Sequence, residues 1–316
     1  SAVIPAPTYG SLTSPTNLGS GGFGFCGGGA IRLQVSGATT IDGWILANGS
    51  ARDGHCTESG GSIWLTTGSL VGTGRVNACG GATGGATCGG GGGRIALIVT
   101  NALADFSGFS GIMSAAAGKG GGAGTIYREK PADGGRGELI VDNSLVWSPA
   151  YIATRLGGSS AMTCDFSRIV LTNAGNLGLF GADYLVLTNT VIAGGPGPAT
   201  NCGGISLYDA SLTLPSPHAW SNYFIRIYTN AGSSILCHDI TLETNAMLIV
   251  DQPYTFSNVT LRASAILSHD GNKDVETLRL NLTIISNLAV DAGGSINVSR
   301  RGFGANYGRG VGPNGG

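Results

Sequence analysis

Charged side chains are scarce in this chain of 316 residues. They make up 11% of it, and 17 basic residues nearly balance 18 acidic ones, for a formal net charge of -1. Proteins that bind nucleic acid need basic patches to contact phosphates, and no basic run occurs here, so we expect no nucleic-acid partner. The sequence also lacks any stretch of about 18 consecutive apolar residues, so we expect no membrane-spanning helix.

Motifs that hold metals or phosphates are missing as well. No C-x-x-C pair and no Cys/His set at zinc spacing occurs, and no Asp-rich loop supplies the oxygen ligands that calcium needs. The glycine run Gly89–Gly93 lacks the Gly-Lys-Ser/Thr ending of a phosphate-binding loop. We therefore predict no metal and no cofactor.

Glycine, in contrast, is abundant, with 57 residues, and it accompanies an internal repeat. Four segments with small or glycine residues before an isoleucine align at Ile31, Ile63, Ile95 and Ile126, which are 32, 32 and 31 residues apart. Equivalent residues of a stacked repeat lie on neighbouring strands. The spacing predicts that these four isoleucines form one internal ladder.

Each period contains a second short apolar run, at 41–47, 74–78 and 111–115, so that one period is two strands and two turns. From Leu139 onward the strand-like runs follow more closely. The sequence predicts an all-β chain, a right-handed parallel β-helix (β-solenoid) forming a single domain over 1–316, with repeats of about 32 residues in 1–138 and shorter rungs in 139–316. Long glycine stretches such as 80–93 are interpreted as tight loops with positive φ. A β-sandwich would not explain the period.

Several strings carry a resemblance: Gly27-Gly-Gly-Ala-Ile-Arg-Leu33, Gly60-Gly-Ser-Ile-Trp-Leu65, Gly124-Thr-Ile-Tyr127 followed by Glu138-Leu-Ile-Val-Asp-Asn143, and Val290-Asp-Ala-Gly-Gly-Ser-Ile296. They resemble the glycine-rich β-helix repeats of very large predicted surface proteins of bacteria and some protists. The resemblance implies a β-helix at a cell surface. It implies no active site, because that family has no catalytic motif to transfer.

Seven cysteines, most of them in glycine-rich or turn-like stretches, indicate disulfides formed in an oxidising compartment. Cys56 and Cys88 each precede their strand isoleucine by seven residues, so stacked loops would bring them together, and Cys79–Cys88 is the other favoured pair. Since seven is odd, one thiol is free or bonded to another chain. The candidates are Cys26, Cys56, Cys79, Cys88, Cys164, Cys202 and Cys237.

Four Asn-x-Ser/Thr tripeptides are candidate glycosylation sites for a secreted eukaryotic chain, and they support secretion only weakly. The acceptors are Asn48, Asn258, Asn281 and Asn297.

No constellation of residues predicts catalysis. Parallel β-helices include polysaccharide lyases and hydrolases, which need paired carboxylates or acidic ligands with a basic partner. The densest groups are Asp239 beside His238, Asp270 beside His269, and Asp274 with Glu276, and each lies in a turn-like stretch where such residues are usually solvated. We therefore assign no catalytic residue, with a polysaccharide lyase or hydrolase as the enzyme alternative.

Aromatic residues leave a third hypothesis open. Trp44 and Trp64 occupy repeat positions at which an aromatic row on one face would bind sugars, although core or interface packing is the commoner use of such residues. Other aromatic candidates are Trp147, Trp220, Tyr208 and Tyr223.

The two ends of the sequence complete the interpretation. A stack of strands leaves an open edge at each end, and neither 1–26 nor the last strand around Ile296–Ser299 with its glycine-rich tail has a recognisable cap. We expect head-to-tail contacts with copies of the same chain, or with contiguous repeats of a larger protein. The start at Ser1, without Met or a signal segment, favours a processed extracellular chain. The predicted function is a structural module of a surface filament or sheath, and the alternative is an adhesin or carbohydrate-binding module, with glycans as partners.

Overall fold

A computed structural model gives the fold. It describes residues 10–22, 25–51, 57–82, 89–146, 152–156, 163–181, 184–186, 191–194, 203–228, 232–272 and 275–304. Apart from one short 3₁₀ turn, Pro131–Asp133, the described residues contain only strands and irregular segments, so the all-β prediction is confirmed. No helix in this part of the chain has the length and apolar character needed to cross a membrane.

Twenty-five strands are numbered in chain order. They are β1 (Ala30–Thr40), β2 (Trp44–Leu46), β3 (Ser62–Val71), β4 (Arg75–Asn77), β5 (Arg94–Val99), β6 (Ile112–Ser114), β7 (Thr125–Glu129), β8 (Glu138–Asp142), β9 (Thr154–Arg155), β10 (Thr163–Cys164), β11 (Arg168–Thr172), β12 (Asn176–Phe180), β13 (Tyr184–Val186), β14 (Val191–Gly194), β15 (Gly204–Tyr208), β16 (Ser211–Thr213), β17 (His218–Trp220), β18 (Phe224–Ile227), β19 (Ser234–Leu236), β20 (Asp239–Leu242), β21 (Met247–Val250), β22 (Tyr254–Leu261), β23 (Ile266–Ser268), β24 (Leu282–Val290) and β25 (Ser295–Ile296).

The repeat strands stack in parallel, as the spacing predicts. Ile31 pairs with Ile63, Ile63 with Ile95, and Ile95 with Ile126, so the isoleucine ladder is confirmed. The second strands of the repeats form a separate parallel sheet in the order β2-β4-β6. Each repeat therefore contributes one strand to each of two sheets.

Strand direction reverses once, between β7 and β8. The first sheet has the order β1-β3-β5-β7-β8-β11-β14, and all its neighbours are parallel except β7 and β8, which pair antiparallel through Tyr127 and Leu139. The eight residues between these two strands hold the 3₁₀ turn and two glycines with positive φ, Gly134 and Gly135. A link this short joins antiparallel neighbours, whereas parallel strands need a crossover of about a dozen residues or more. This pair, which we call the seam, departs from the uninterrupted parallel order predicted over 1–316.

The seam separates two hydrophobic cores on opposite faces of the first sheet. Ile126 and its partner Ile140 pack with the isoleucine ladder. Tyr127 and its partner Leu139 belong to the second core, which continues through β11 and beyond. Because successive residues of a strand face opposite sides, the chain changes the face that it covers as it passes the seam.

After the seam, three further parallel sheets enclose the second core. Their orders are β25-β23-β21-β18-β15-β12-β9, β10-β13-β16-β19 and β17-β20-β22-β24. In the seven-stranded sheet, which we call the second sheet, successive strands start 19 to 29 residues apart. The shorter and less regular rungs predicted after Leu139 are therefore present as parallel strands.

The glycine segments have a role other than the predicted one. Gly80, Gly81 and Gly89–Gly93 do not have positive φ, so the interpretation of 80–93 as tight positive-φ loops is wrong for its described residues. A Cβ on Gly60 would collide with the carbonyl of Ala78, and a Cβ on Gly92 with that of Ala115. Glycine is required here because neighbouring backbones approach too closely for any side chain.

Successive amides of a glycine segment bond to different neighbouring segments. Gly60 N donates to Gly91 O at 2.9 Å and Gly61 N to Ala47 O at 2.8 Å. Gly92 repeats the first bond with Gly122 O at 3.0 Å. A sheet strand has neighbours on two sides only, so these segments form a bundle, which ties the two sheets of the repeat half together.

The glycine bundle gives a test of this packing. Gly92→Ala should destabilise the chain by about 1–3 kcal/mol or more, because the methyl group has no space beside the Ala115 carbonyl. Gly29→Ala is the matched control, because no atom lies within 4 Å of its added Cβ. Thermal unfolding followed by circular dichroism measures both, and equal midpoints for the two variants would contradict the account.

Candidate functional site

The long open edges of the sheets are the first candidate site. β1 has 11 residues and pairs only with β3, and β24 has 9 residues and pairs only with β22, within the described part of the chain. β24 carries no charged residue, and Ile285 on it is 69% exposed. The strand predicted around Ile296–Ser299 is shorter than expected, since β25 covers only Ser295–Ile296. Edge strands usually carry charges or prolines that prevent pairing with other chains, so β24 is an unprotected edge.

A ladder of polar side chains leads to the same edge. Asn258 Nδ2 donates to Asp239 Oδ1 at 2.6 Å, and Asn287 Nδ2 donates to Asn258 Oδ1 at 3.0 Å. The three residues are register partners on β20, β22 and β24. Asn287 is therefore the last member of the ladder and lies on the open strand.

The edge at the other end also exposes apolar side chains. Leu33 on β1 and Trp44 and Leu46 on β2 are exposed, and Trp44 reaches 74%. Trp44 pairs in register with Arg75. Trp64 lies in the other repeat sheet, where the guanidinium of Arg32 is 4.4 Å from its ring centroid. The predicted row containing Trp44 and Trp64 is therefore wrong, because the two strands belong to different sheets.

The remaining aromatic candidates lie inside the molecule. Trp220, Tyr223 and Tyr208 are buried, and Trp147 lies outside the described residues. Tyr208 stacks between Phe180 and Tyr228, with ring centroids 4.3 Å and 4.1 Å apart. These rings stabilise packing and do not form an exposed platform for sugars.

A buried ionic cluster lies at the end of the second sheet, next to this stack. Arg226 is 4% exposed, and its guanidinium contacts the carboxylates of Asp251, which is 2% exposed, and Asp270. Asp270 also pairs with Arg301 and donates its backbone amide to Asp251 Oδ1 at 2.7 Å. Burial raises the pKa of Asp251, and the charge of Arg226 partly offsets this increase. Sequence reasoning singled out Asp270 but missed Arg226 and Asp251.

The other acidic candidates are dispersed. Asp239 belongs to the polar ladder, Glu276 forms a surface pair with Arg279 at 3.1 Å, and Asp274 lies outside the described residues. His269 Nδ1 is bonded to the carbonyl of its neighbour Asp270 at 2.6 Å. No group of three or more metal-ligating His, Cys, Asp or Glu side chains occurs in the ranges that the structure describes.

Three of the seven cysteines are described as free thiols: Cys26, which is exposed, Cys79, and Cys237, which is buried. Cys79 Sγ donates to Ser114 Oγ at 3.3 Å, so the structure does not contain the predicted Cys79–Cys88 bond. Cys56, Cys88 and Cys202 lie outside the described residues, so Cys56–Cys88 stays a prediction. Cys164 is in β10.

The glycosylation candidates differ in their surroundings. Asn48, Asn281 and Asn297 are exposed. Asn258 is half-buried, and its amide nitrogen belongs to the polar ladder. A glycan on Asn258 would have to lie between adjacent strands, so the other three are the accessible acceptors. Glycosylation itself stays a prediction.

The buried cluster can be tested by charge removal. Arg226→Met leaves Asp251 buried without its cation and should destabilise the chain by about 3–5 kcal/mol near neutral pH. The folded-state pKa of Asp251 would then lie further above its unfolded value, so stability should fall as pH rises between these two values, and the loss should be smaller near pH 4.5 than near pH 8. Urea unfolding at both pH values measures this. The control Arg262→Met removes an exposed pair with Asp291 and should have little effect; a pH-independent loss in Arg226→Met would contradict the account.

Comparison with known proteins adds no family to this geometry. No protein-family model, no curated protein and no solved structure matches the chain. Function is therefore argued from the described residues alone.

Proposed function

We propose that this chain is an extracellular structural module that stacks end to end, either with copies of itself in a surface filament or sheath or with contiguous repeats of a larger protein. Its finer fold, in this proposal, is a right-handed parallel β-solenoid in two runs joined at the seam. The parallel registers support the solenoid, and crossovers between parallel strands of one sheet are almost always right-handed. The resemblance to glycine-rich surface repeats agrees with the proposed location.

The observation that carries the proposal is the open edge of β24. Its unpaired backbone groups, its lack of charge and its exposed apolar residues Ile285, Leu288 and Val290 together favour pairing with another strand. β1 offers a comparable long edge at the opposite end of the strand order. A subunit with two such edges forms an open chain when its contacts do not close into a ring.

The polar ladder supports a specific register for this contact. Asn287 can continue the ladder only if the incoming strand places a hydrogen-bonding side chain directly opposite it. A shift by one residue would turn that side chain to the other face of the sheet. Asn287 thus favours one register over its neighbours.

The acidic residues support a structural role over catalysis. Asp251 and Asp270 are both engaged by Arg226, and Asp239 is engaged by Asn258. A general acid or base must be able to reach a substrate proton. In this arrangement the carboxylates serve the fold.

One observation favours the second candidate, an adhesin or carbohydrate-binding module. Trp44 is 74% exposed and has Arg75 beside it on the neighbouring strand. An exposed indole next to a hydrogen-bond donor is suited to stacking on a sugar ring. Because β2 lies at an edge, the same side chain would also serve an end-to-end contact.

Self-association is tested on β24. Ile285→Lys and Leu288→Lys each add a charge to the open edge and should reduce assembly strongly, as measured by sedimentation velocity and electron microscopy. Leu103→Lys is the matched control, because Leu103 is 97% exposed in the loop between β5 and β6, and it should assemble as the unmodified chain does. An unmodified chain that stays monomeric at high concentration would contradict the proposal.

Catalysis is tested separately. The purified chain should release neither reducing nor unsaturated ends from acidic or neutral polysaccharides, because its carboxylates are engaged. Turnover that is lost in Asp239→Ala or Asp270→Ala would favour the lyase or hydrolase alternative instead.

A further inference from the structure

A cavity of about 270 Å³ lies against the glycine bundle. Three groups of residues line it: the N-terminal segment near Leu18, the glycine segments of three successive repeats, and residues 152–154. Its size is near the lower limit of small-molecule pockets, about 300 Å³. The cavity is thus large enough for a small ligand and too small for a folded partner.

Backbone amides without acceptors line this cavity. Ser59 N donates to Ser20 O at 3.1 Å. Gly91 and Gly122 occupy the equivalent place in the next two repeats, four residues before the ladder isoleucine. No acceptor for either amide exists within the described part of the chain. By the repeat, both N–H groups point the same way as that of Ser59, toward the cavity.

The charge around the cavity has one sign. Arg94 lines it and is 8% exposed, and Arg94 Nη1 donates to Thr125 Oγ1 at 3.3 Å. None of the described residues that line the cavity is acidic. Hydroxyl groups of Ser59 and Ser62 are also at its wall. A buried guanidinium beside backbone amides is a suitable environment for an oxyanion.

We propose that this cavity binds a small molecule carrying a carboxylate or sulfate group, with the anion held by Arg94 and by the amides of Gly91 and Gly122. The glycines then have two functions: they allow the repeats to approach, and they leave amides accessible that side chains would cover. The site does not depend on assembly of the chain.

Isothermal titration calorimetry on the full chain tests the site, with sodium sulfate, sodium acetate and D-glucuronate as probes and neutral D-glucose for comparison. At least one anion should bind saturably with a dissociation constant of about 1 mM or below, and glucose should not. Arg94→Gln should weaken binding about tenfold or more, the effect of losing a charge-assisted hydrogen bond.

Gly91→Ala keeps the test valid if Arg94→Gln fails to fold. The nearest atoms to its added Cβ are Gly122 O at 3.7 Å and Ser59 Oγ at 4.0 Å, so the chain tolerates the methyl group, which occupies the cavity and should weaken anion binding. Gly29→Ala lies away from the cavity and should bind as the unmodified chain does. Equal binding of glucose and glucuronate, no saturable anion binding, or unchanged affinity in both Arg94→Gln and Gly91→Ala would each overturn the proposal.

Discussion

The close approach of backbones at the paired glycines is the constraint on which the repeat half depends. At Gly60 and Gly92 a side chain would displace the carbonyl of the alanine that follows β4 or β6. With no side chain there, each segment bonds to several neighbours at once, and the isoleucine ladder keeps its regular register. Ala123 takes the equivalent position in the last repeat. The requirement for glycine therefore ends where the parallel series ends, at β7.

Most of the repeat half follows from its period. Residues at a constant spacing of about 32 occupy equal positions on successive strands, and so Ile31 to Ile126 could be placed before any coordinates were known. The reason for the glycines could not be inferred in the same way. Positive φ and close backbone approach both favour glycine, and only the positions of neighbouring carbonyls distinguish them. The seam had a local signal in Pro131, Gly134 and Gly135, which together are typical of a hairpin turn.

The buried charges could not be found from sequence for a different reason. Arg226, Asp251 and Asp270 lie on three neighbouring strands or just after them, and the distance along the chain between such strands varies from 19 to 29 residues. Without a fixed period, no spacing relates an arginine to its carboxylates. The pairing of His269 with Asp270 in sequence suggested chemistry between neighbours, whereas the decisive contact for Asp270 comes from Arg226 on another strand. Regular repeats thus make packing predictable, and irregular ones hide their polar contacts.

The seam also affects how the length of such a chain can change. β7 and β8 meet through their own register and a short turn, and neither contact depends on the number of strands beyond them. A 32-residue repeat duplicated within the first half would stack on its equals, because each repeat supplies the same glycine pair and the same isoleucine. The strands on the far side would keep their neighbours. Unequal duplication of the gene segment for one half could therefore lengthen the molecule in steps of one repeat without compensating substitutions in the other half.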